Sequence, residues 1–214
     1  MAVIELTNIT KSYGKEEVLS DINLSIERGE MVAIIGKSGK GKTTLLNIMG
    51  LITPQNKGEL SVWGQKNPSL NSKTTMMLRR EKIGYLFQNF GLVEDETVEW
   101  NLNLALEYKK LNKKSKAEKI SLLLEEFNLP HLANKKIYQL SGGEQQRIAI
   151  IRLILQGSSL ILADEPTASL DAENEGIIMK YLKQLNEQGK TIVVVTHNRD
   201  ILSYFSRIID LSKF

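Results

Sequence analysis

The chain has 214 residues, 28 basic and 25 acidic, for a net charge of +3, and 42 % are hydrophobic. That is ample material for a real core, and a charge too balanced for a general polyanion binder, which concentrates basic residues on one face. The lack of cysteine excludes a disulfide framework, a thiolate metal site and a cysteine nucleophile, and no apolar run reaches the roughly 18 residues of a membrane span, so the chain is expected to be soluble unless a partner holds it at a membrane.

After Met1, "AVIELTNIT" alternates apolar and polar residues like a strand and lacks the basic start and apolar core of a signal peptide. Together with "VLSDINLSI" and "GELSVWG" it predicts short antiparallel strands in the first sixty residues, an α+β flank that precedes or wraps the rest. Buried-strand runs then recur at "MVAIIG" (31–36), "KIGYLF" (82–87), "SLILAD" (159–164) and "KTIVVVTH" (190–197), with helix-like segments between most of them. That pattern predicts an α/β fold with a mainly parallel sheet. From about 95 to 155, "TVEWNLNLALEY", "KAEKISLLLEEFNL" and "GEQQRIAIIRLIL" read as three helices inserted into the α/β core. The basic run "KKLNKKSK" (109–116) between two of them reads as a solvated loop.

The stretch "GKSGKGKT" (36–43) follows a buried strand, opens a helix and satisfies G-x-x-x-x-G-K-[ST], with Gly36, Gly41, Lys42 and Thr43 at the fixed positions. Glycines let backbone N–H groups converge on an anion, and the following helix adds partial positive charge at its start. The candidate nucleotide-binding segment therefore comprises Gly36, Lys37, Ser38, Gly39, Lys40, Gly41, Lys42, Thr43 and Thr44. Lys42 is placed to reach the β- and γ-phosphates, Thr43 to put its hydroxyl on Mg²⁺, and Thr44 to reach the next phosphate. Lys37 and Lys40 stand at variable positions and are expected to face solvent, raising the local potential. Asp164 ends a buried strand, where a nucleotide site is expected beyond the carboxyl ends of parallel strands, and suits the metal shell. Its neighbour Glu165 suits a base or water-orienting role, since successive strand positions point to opposite sides. Without the glycine loop, the two acids would read as an ordinary strand-to-turn pair.

The stretch "LSGGEQQR" (140–147) makes Ser141 an N-cap and leaves the N–H groups of Gly142 and Gly143 open at an anion-attracting helix start. It resembles the signature of ATP-binding cassette ATPases at every usual position, and the resemblance covers essentially the whole chain. It implies a P-loop NTPase (RecA-like) parallel-sheet core with an N-terminal antiparallel β subdomain and an inserted α-helical subdomain. Residues 1–88 and 158–214 would form the core and 89–157 the helical part of one domain. By the same resemblance Tyr13 in "KSYG" stacks on adenine, Gln88 in "YLFQN" reaches Mg²⁺ and the attacking water, and "SLD" (169–171) communicates across a dimer. His197 matches the switch histidine at the γ-phosphate, and Glu165 the residue that polarises water. The cofactors implied are ATP and Mg²⁺. The active unit implied is a head-to-tail pair, either a homodimer or a pairing with a paralogue, in which Ser141, Gly142 and Gly143 of one chain close on the ATP held by the other. Lys40 stands where a small residue is frequent, and "GKTT" replaces the commoner Lys-Ser-Thr.

Among cassette subfamilies, "LNIMGLITPQNKGEL" and "RREKIGYLFQNFGLVEDETVEWNL" look like the macrolide, lipoprotein and bacteriocin export group. The resemblance implies an ATPase subunit, cytoplasmic and peripheral on the inner face of the membrane, that energises a separate integral membrane permease contacting residues 88–104. Export of a peptide, bacteriocin, drug or lipoprotein-type substrate is expected, and no nucleic acid. The alternative is a cassette ATPase acting on nucleic acid or the ribosome. Against it stand a single cassette, no cysteine for a zinc module and only a short helical insertion.

Overall fold

The computed structural model describes residues 1–168 and 170–214. Two sheets organise it. Strands β1 (Ala2–Tyr13), β2 (Glu16–Glu27), β4 (Lys57–Val62) and β5 (Gln65–Lys66) form an antiparallel sheet in the order β2-β1-β4-β5. Strands β3 (Met31–Ile35), β6 (Ile83–Leu86), β7 (Leu160–Asp164), β8 (Thr191–Val195) and β9 (Arg207–Asp210) form a parallel sheet in the order β6-β7-β8-β3-β9. The antiparallel flank is therefore closed by β4, which returns to it after β3 and the first helix. Its first two strands are 12 residues each, not short, because register shifts along their pairing absorb local irregularities without ending the ladder.

The parallel sheet is apolar on both faces, as strands covered on both sides must be. Ile161, Ala163, Ile192 and Val194 face one core cluster, whereas Leu160, Leu162, Val193 and Val195 face the other. The second cluster is completed by helix α1 (Lys42–Met49), through Leu45, Leu46, Ile48 and Met49, and by the antiparallel sheet. The first is completed by helices α3 (Val98–Ala105), α4 (Lys113–Glu126), α5 (Gly142–Gln156) and α6 (Ala172–Glu187). A further helix, α2 (Lys73–Glu81), precedes β6 and buries little but Thr75.

The three predicted inserted helices are α3, α4 and α5. The basic run 109–116 is only half a loop: the Asn112 side chain accepts from the Ser115 N–H at 2.8 Å, capping α4, so Lys113, Lys114 and Lys116 begin a helix. Among the described residues, no helix is long and apolar enough to cross a membrane.

Candidate active site

Parallel strands deliver their carboxyl ends to one edge of the sheet, and here that edge gathers residues far apart in sequence. The phosphate loop follows β3, Gln88 follows β6, Asp164 and Glu165 close β7, and His197 follows β8. A cleft of about 420 Å³ at this edge is lined by Ser38, Gly39, Gly41, Lys42, Thr43, Thr44, Gln88, Glu165 and His197, with Val18 of β2 as a tenth wall.

The loop's shape depends on Gly41, which caps α1 with a left-handed backbone (φ 78°). A Cβ there would stand 2.8 Å from the Val18 carbonyl oxygen and 2.7 Å from a Leu19 methyl carbon, so only glycine lets the loop lie against β2. Lys42 is buried, and its Nζ donates to the carbonyls of Gly36 (2.9 Å) and Lys37 (3.1 Å). The side chains of Lys37 and Lys40 are exposed, as their variable positions predict.

Asp164 is buried, and the Thr43 hydroxyl donates to its Oδ1 at 3.2 Å. Burial pushes the Asp164 carboxyl above its ordinary range; the Thr43 hydrogen bond opposes the rise, the neighbouring Glu165 charge adds to it and Lys42 counters it. A buried carboxylate beside a hydroxyl is an all-oxygen donor pair of the kind hard divalent cations take. Among the described residues no three His, Cys, Asp or Glu side chains form a group that could hold a metal ion.

Glu165 departs from simple strand alternation. Its backbone is left-handed (φ 47°), a conformation that costs a non-glycine residue roughly 1–3 kcal/mol and persists where the surroundings over-determine it. Its N–H donates to the Val195 carbonyl at 2.9 Å. Its carboxylate accepts from the His197 N–H (3.3 Å) and lies 2.9 Å from His197 Nδ1. The left-handed turn, more than the pleat, separates the two acids: Asp164 goes to Thr43 and Glu165 to His197. Gln88 is exposed at the mouth of the cleft.

Tyr13 is half-exposed at the end of β1, with Lys11 Nζ 5.0 Å from its ring centroid, and does not line the cleft. Nor do Ser141, Gly142 and Gly143, which open α5. Ser141 and Glu144 form a reciprocal cap: the Ser141 N–H donates to Glu144 Oε2 at 2.8 Å, and the Glu144 N–H to Ser141 Oγ at 3.4 Å. Burial raises the Glu144 carboxyl, but the two donors of Ser141 together with the charges of Arg147 and Lys135 leave the group below its ordinary value. Ser141 and Gly142 are exposed, whereas a Cβ on Gly143 would meet Asn174 of α6 at 3.1 Å. Of the "SLD" stretch, Ser169 lies outside the described residues; Asp171 caps α6, accepting from the Asn174 N–H at 2.8 Å.

Sequence reasoning missed two residues that join these parts. Gln146, buried in α5, donates to the Pro166 carbonyl at 2.6 Å, one residue past Glu165. Arg152, on the same helix, donates to the carbonyls of Phe90 and Gly91, just past Gln88.

The model of the family described as ABC transporter matches residues 19–168. The chain belongs to the ABC transporter family. Its cassette is similar to the macrolide export ATP-binding/permease protein MacB of Campylobacter jejuni, 41 % identical over 209 residues, 98 % of this chain but 33 % of that protein. The chain thus spans about a third of the length of such curated relatives. Among solved structures, the ATP-binding cassette MJ0796, in a dimeric post-hydrolysis state bound to ADP and Pi, is 39 % identical with a TM-score of 0.89, covering 97 % of this chain and 93 % of that one. The cassette cbiO1 of Clostridium perfringens, part of the ABC transporter complex cbiONQ, is 28 % identical with a TM-score of 0.84, covering 98 % of this chain and 84 % of that one. The fold is that of the P-loop NTPase cassettes, a parallel-sheet core with an antiparallel β flank and inserted helices.

Proposed function

We propose that the chain binds and hydrolyses ATP and energises a membrane permease for export, at the cytoplasmic face of the membrane. The observation that carries this is the convergence of Lys42, Thr43, Gln88, Glu165 and His197 on one cleft from four separate strand ends. Phosphoryl transfer to water needs in-line placement and charge neutralisation more than covalent chemistry, and these groups are suited to both. Lys42, freed from the loop carbonyls, neutralises the β- and γ-phosphates, with Tyr13 in reach of a base that extends beyond the cleft. Glu165 takes the proton of the attacking water, and His197, whose Nδ1 is occupied by Glu165, keeps Nε2 for the γ-phosphate. Thr43 and Asp164, with Gln88, would hold Mg²⁺, which when bound supplies charge neutralisation.

Because Ser141 and Gly143 open α5 outside the cleft, a complete centre takes a second cassette whose signature closes on the first one's nucleotide. The dimeric cassette structure similar to this chain supports that pairing, as two copies or as a copy with a paralogue. The permease is read as touching residues 88–104, within the helical part at 89–157. The MacB relatives are ATP-binding/permease proteins. The substrate class is taken from those relatives and the neighbouring export subfamilies: a macrolide-like drug, peptide or lipoprotein.

The test is Glu165→Gln. The variant should bind ATP with parental affinity, hydrolyse it at least about a hundredfold more slowly, and elute as an ATP-stabilised dimer in gel filtration. Parental turnover in that variant would remove Glu165 from the proposed chemistry.

A further inference from the structure

Gln88 sits in the segment between β6 and α3, where no sheet ladder fixes its amide at the cleft. The turn that follows it is unusual. Phe90 and Gly91 both adopt left-handed backbone, with φ of 62° and 61°. For phenylalanine this is an unfavourable conformation that the surroundings must impose. The Phe90 N–H donates to the Phe87 carbonyl at 2.9 Å and the Gly91 N–H to that of Asn89 at 2.7 Å, which close the turn locally. Its outward carbonyls, Phe90 O and Gly91 O, both accept from the guanidinium of Arg152.

Arg152 is half-buried where it meets the turn. Burial alone accounts for the lowering of its guanidinium from the usual value. A planar fork suits two adjacent carbonyls in a way that a flexible ammonium does not. Arg152 also forms a wall of a second cleft, about 470 Å³, with Arg80, Leu104, Tyr108 and Gln156. It belongs to α5, whose first turn is the signature.

We propose that Arg152 is a positioning residue for Gln88: by pinning the Phe90–Gly91 turn it holds Gln88 at the phosphate cleft and makes that placement depend on α5. The inference rests on the ATPase reading of the cleft. Movement of α5, or occupation of the second cleft, is then transmitted to Gln88 through two hydrogen bonds.

The test compares the parent, Arg152→Lys, Gln88→Ala and the double variant by steady-state ATPase, by binding of a fluorescent ATP analogue, and by hydrogen exchange of the 87–93 amides without nucleotide. Lysine keeps the charge and loses the fork. Arg152→Lys should lower kcat about tenfold while the analogue's Kd stays within about twofold, and the double variant should be no slower than Gln88→Ala alone. Exchange at Phe90 and Gly91 should quicken. Multiplying rate losses, or unchanged exchange, would overturn the proposal. Should Arg152→Lys fail to fold, Gly91→Ala attacks the turn from the other side, since its Cβ would meet a Phe87 ring carbon at 2.6 Å and the Arg152 guanidinium at 3.3 Å. It should reproduce the same loss of kcat and non-additivity with Gln88→Ala, and a parental rate in it would overturn the proposal. A parent chain without ATP turnover would sink the ATPase reading itself, whereas an active parent matched by Arg152→Lys would sink only this inference.

Discussion

With its ammonium group on the carbonyls of Gly36 and Lys37, Lys42 braces the loop from inside and already points its charge at the region a phosphate would enter. Lys42→Ala should therefore cost both the phosphate contact and the loop's brace, weakening binding of a fluorescent ATP analogue by at least about tenfold. Asp164 carries a different tension. Because its carboxyl is raised in the folded chain, the folded state holds that proton more tightly than the unfolded state does. Stability from this group is therefore fully present below the ordinary aspartate value and is lost as pH rises through that value to the raised one. Asp164→Asn removes the buried charge. Its melting temperature without nucleotide should equal the parent's in acid and exceed it above that window, while Mg²⁺-dependent turnover disappears. A parent whose deficit relative to this variant does not grow with pH would contradict the assignment. Lys42 and Asp164 were legible as candidates because a fixed-spacing loop and an acid at a strand end are recognisable in sequence. The contact of Asp164 with Thr43, 121 positions away, was not, since nothing local records it.

Among the elements, α5 joins the most parts. It starts with a serine–glutamate cap, reaches the Glu165 segment through Gln146 and the Gln88 segment through Arg152, and ends on Gly157 in a left-handed cap (φ 69°). Gln146→Leu keeps the volume and removes the donor to Pro166. Leaving that carbonyl unpaired should cost about 1–3 kcal/mol in a denaturation experiment. Because Pro166 follows Glu165, ATP turnover should fall by more than analogue binding does. Gln146 was in fact readable: with Ala149, Ile150 and Leu153 it lies at i, i+3, i+4 and i+7, an amide on a buried stripe. A polar residue on such a stripe asks for a partner. Helix α2 gave no comparable signal, since of its nine residues only Thr75 is buried and Leu78 half-buried against the core, too few to make a periodic stripe. Its boundaries come from the Ser72 cap, which accepts from the Thr75 N–H at 3.1 Å.

For the whole molecule, the separation of the signature from the cleft makes a specific demand on assembly. A Lys42→Ala chain keeps an intact signature, and a Gly143→Asp chain keeps an intact phosphate loop. Each alone should be inactive, and an equal mixture should recover up to about a quarter of the parental rate, from random pairing with one intact site per mixed dimer. A mixture as inactive as its components would contradict a shared centre. The α/β class, the parallel sheet and the inserted helices followed from alternating strand and helix patterns, because burial on both faces leaves uninterrupted apolar runs. The strand order β6-β7-β8-β3-β9 did not, because pairing between segments so distant leaves no periodic trace in either.

That order also governs what a ribosome releases. β3, which carries the phosphate loop, lies between β8 and β9, both of which follow it late in the chain, so during synthesis it waits without either lateral neighbour. Helix α1 and the antiparallel sheet can gather around it early, but the edge where Lys42, Glu165 and His197 meet is assembled only when β8 and β9 thread into place. If the cleft binds ATP as proposed, ribosome-stalled intermediates halted before Thr191 should retain no ATP analogue on a filter.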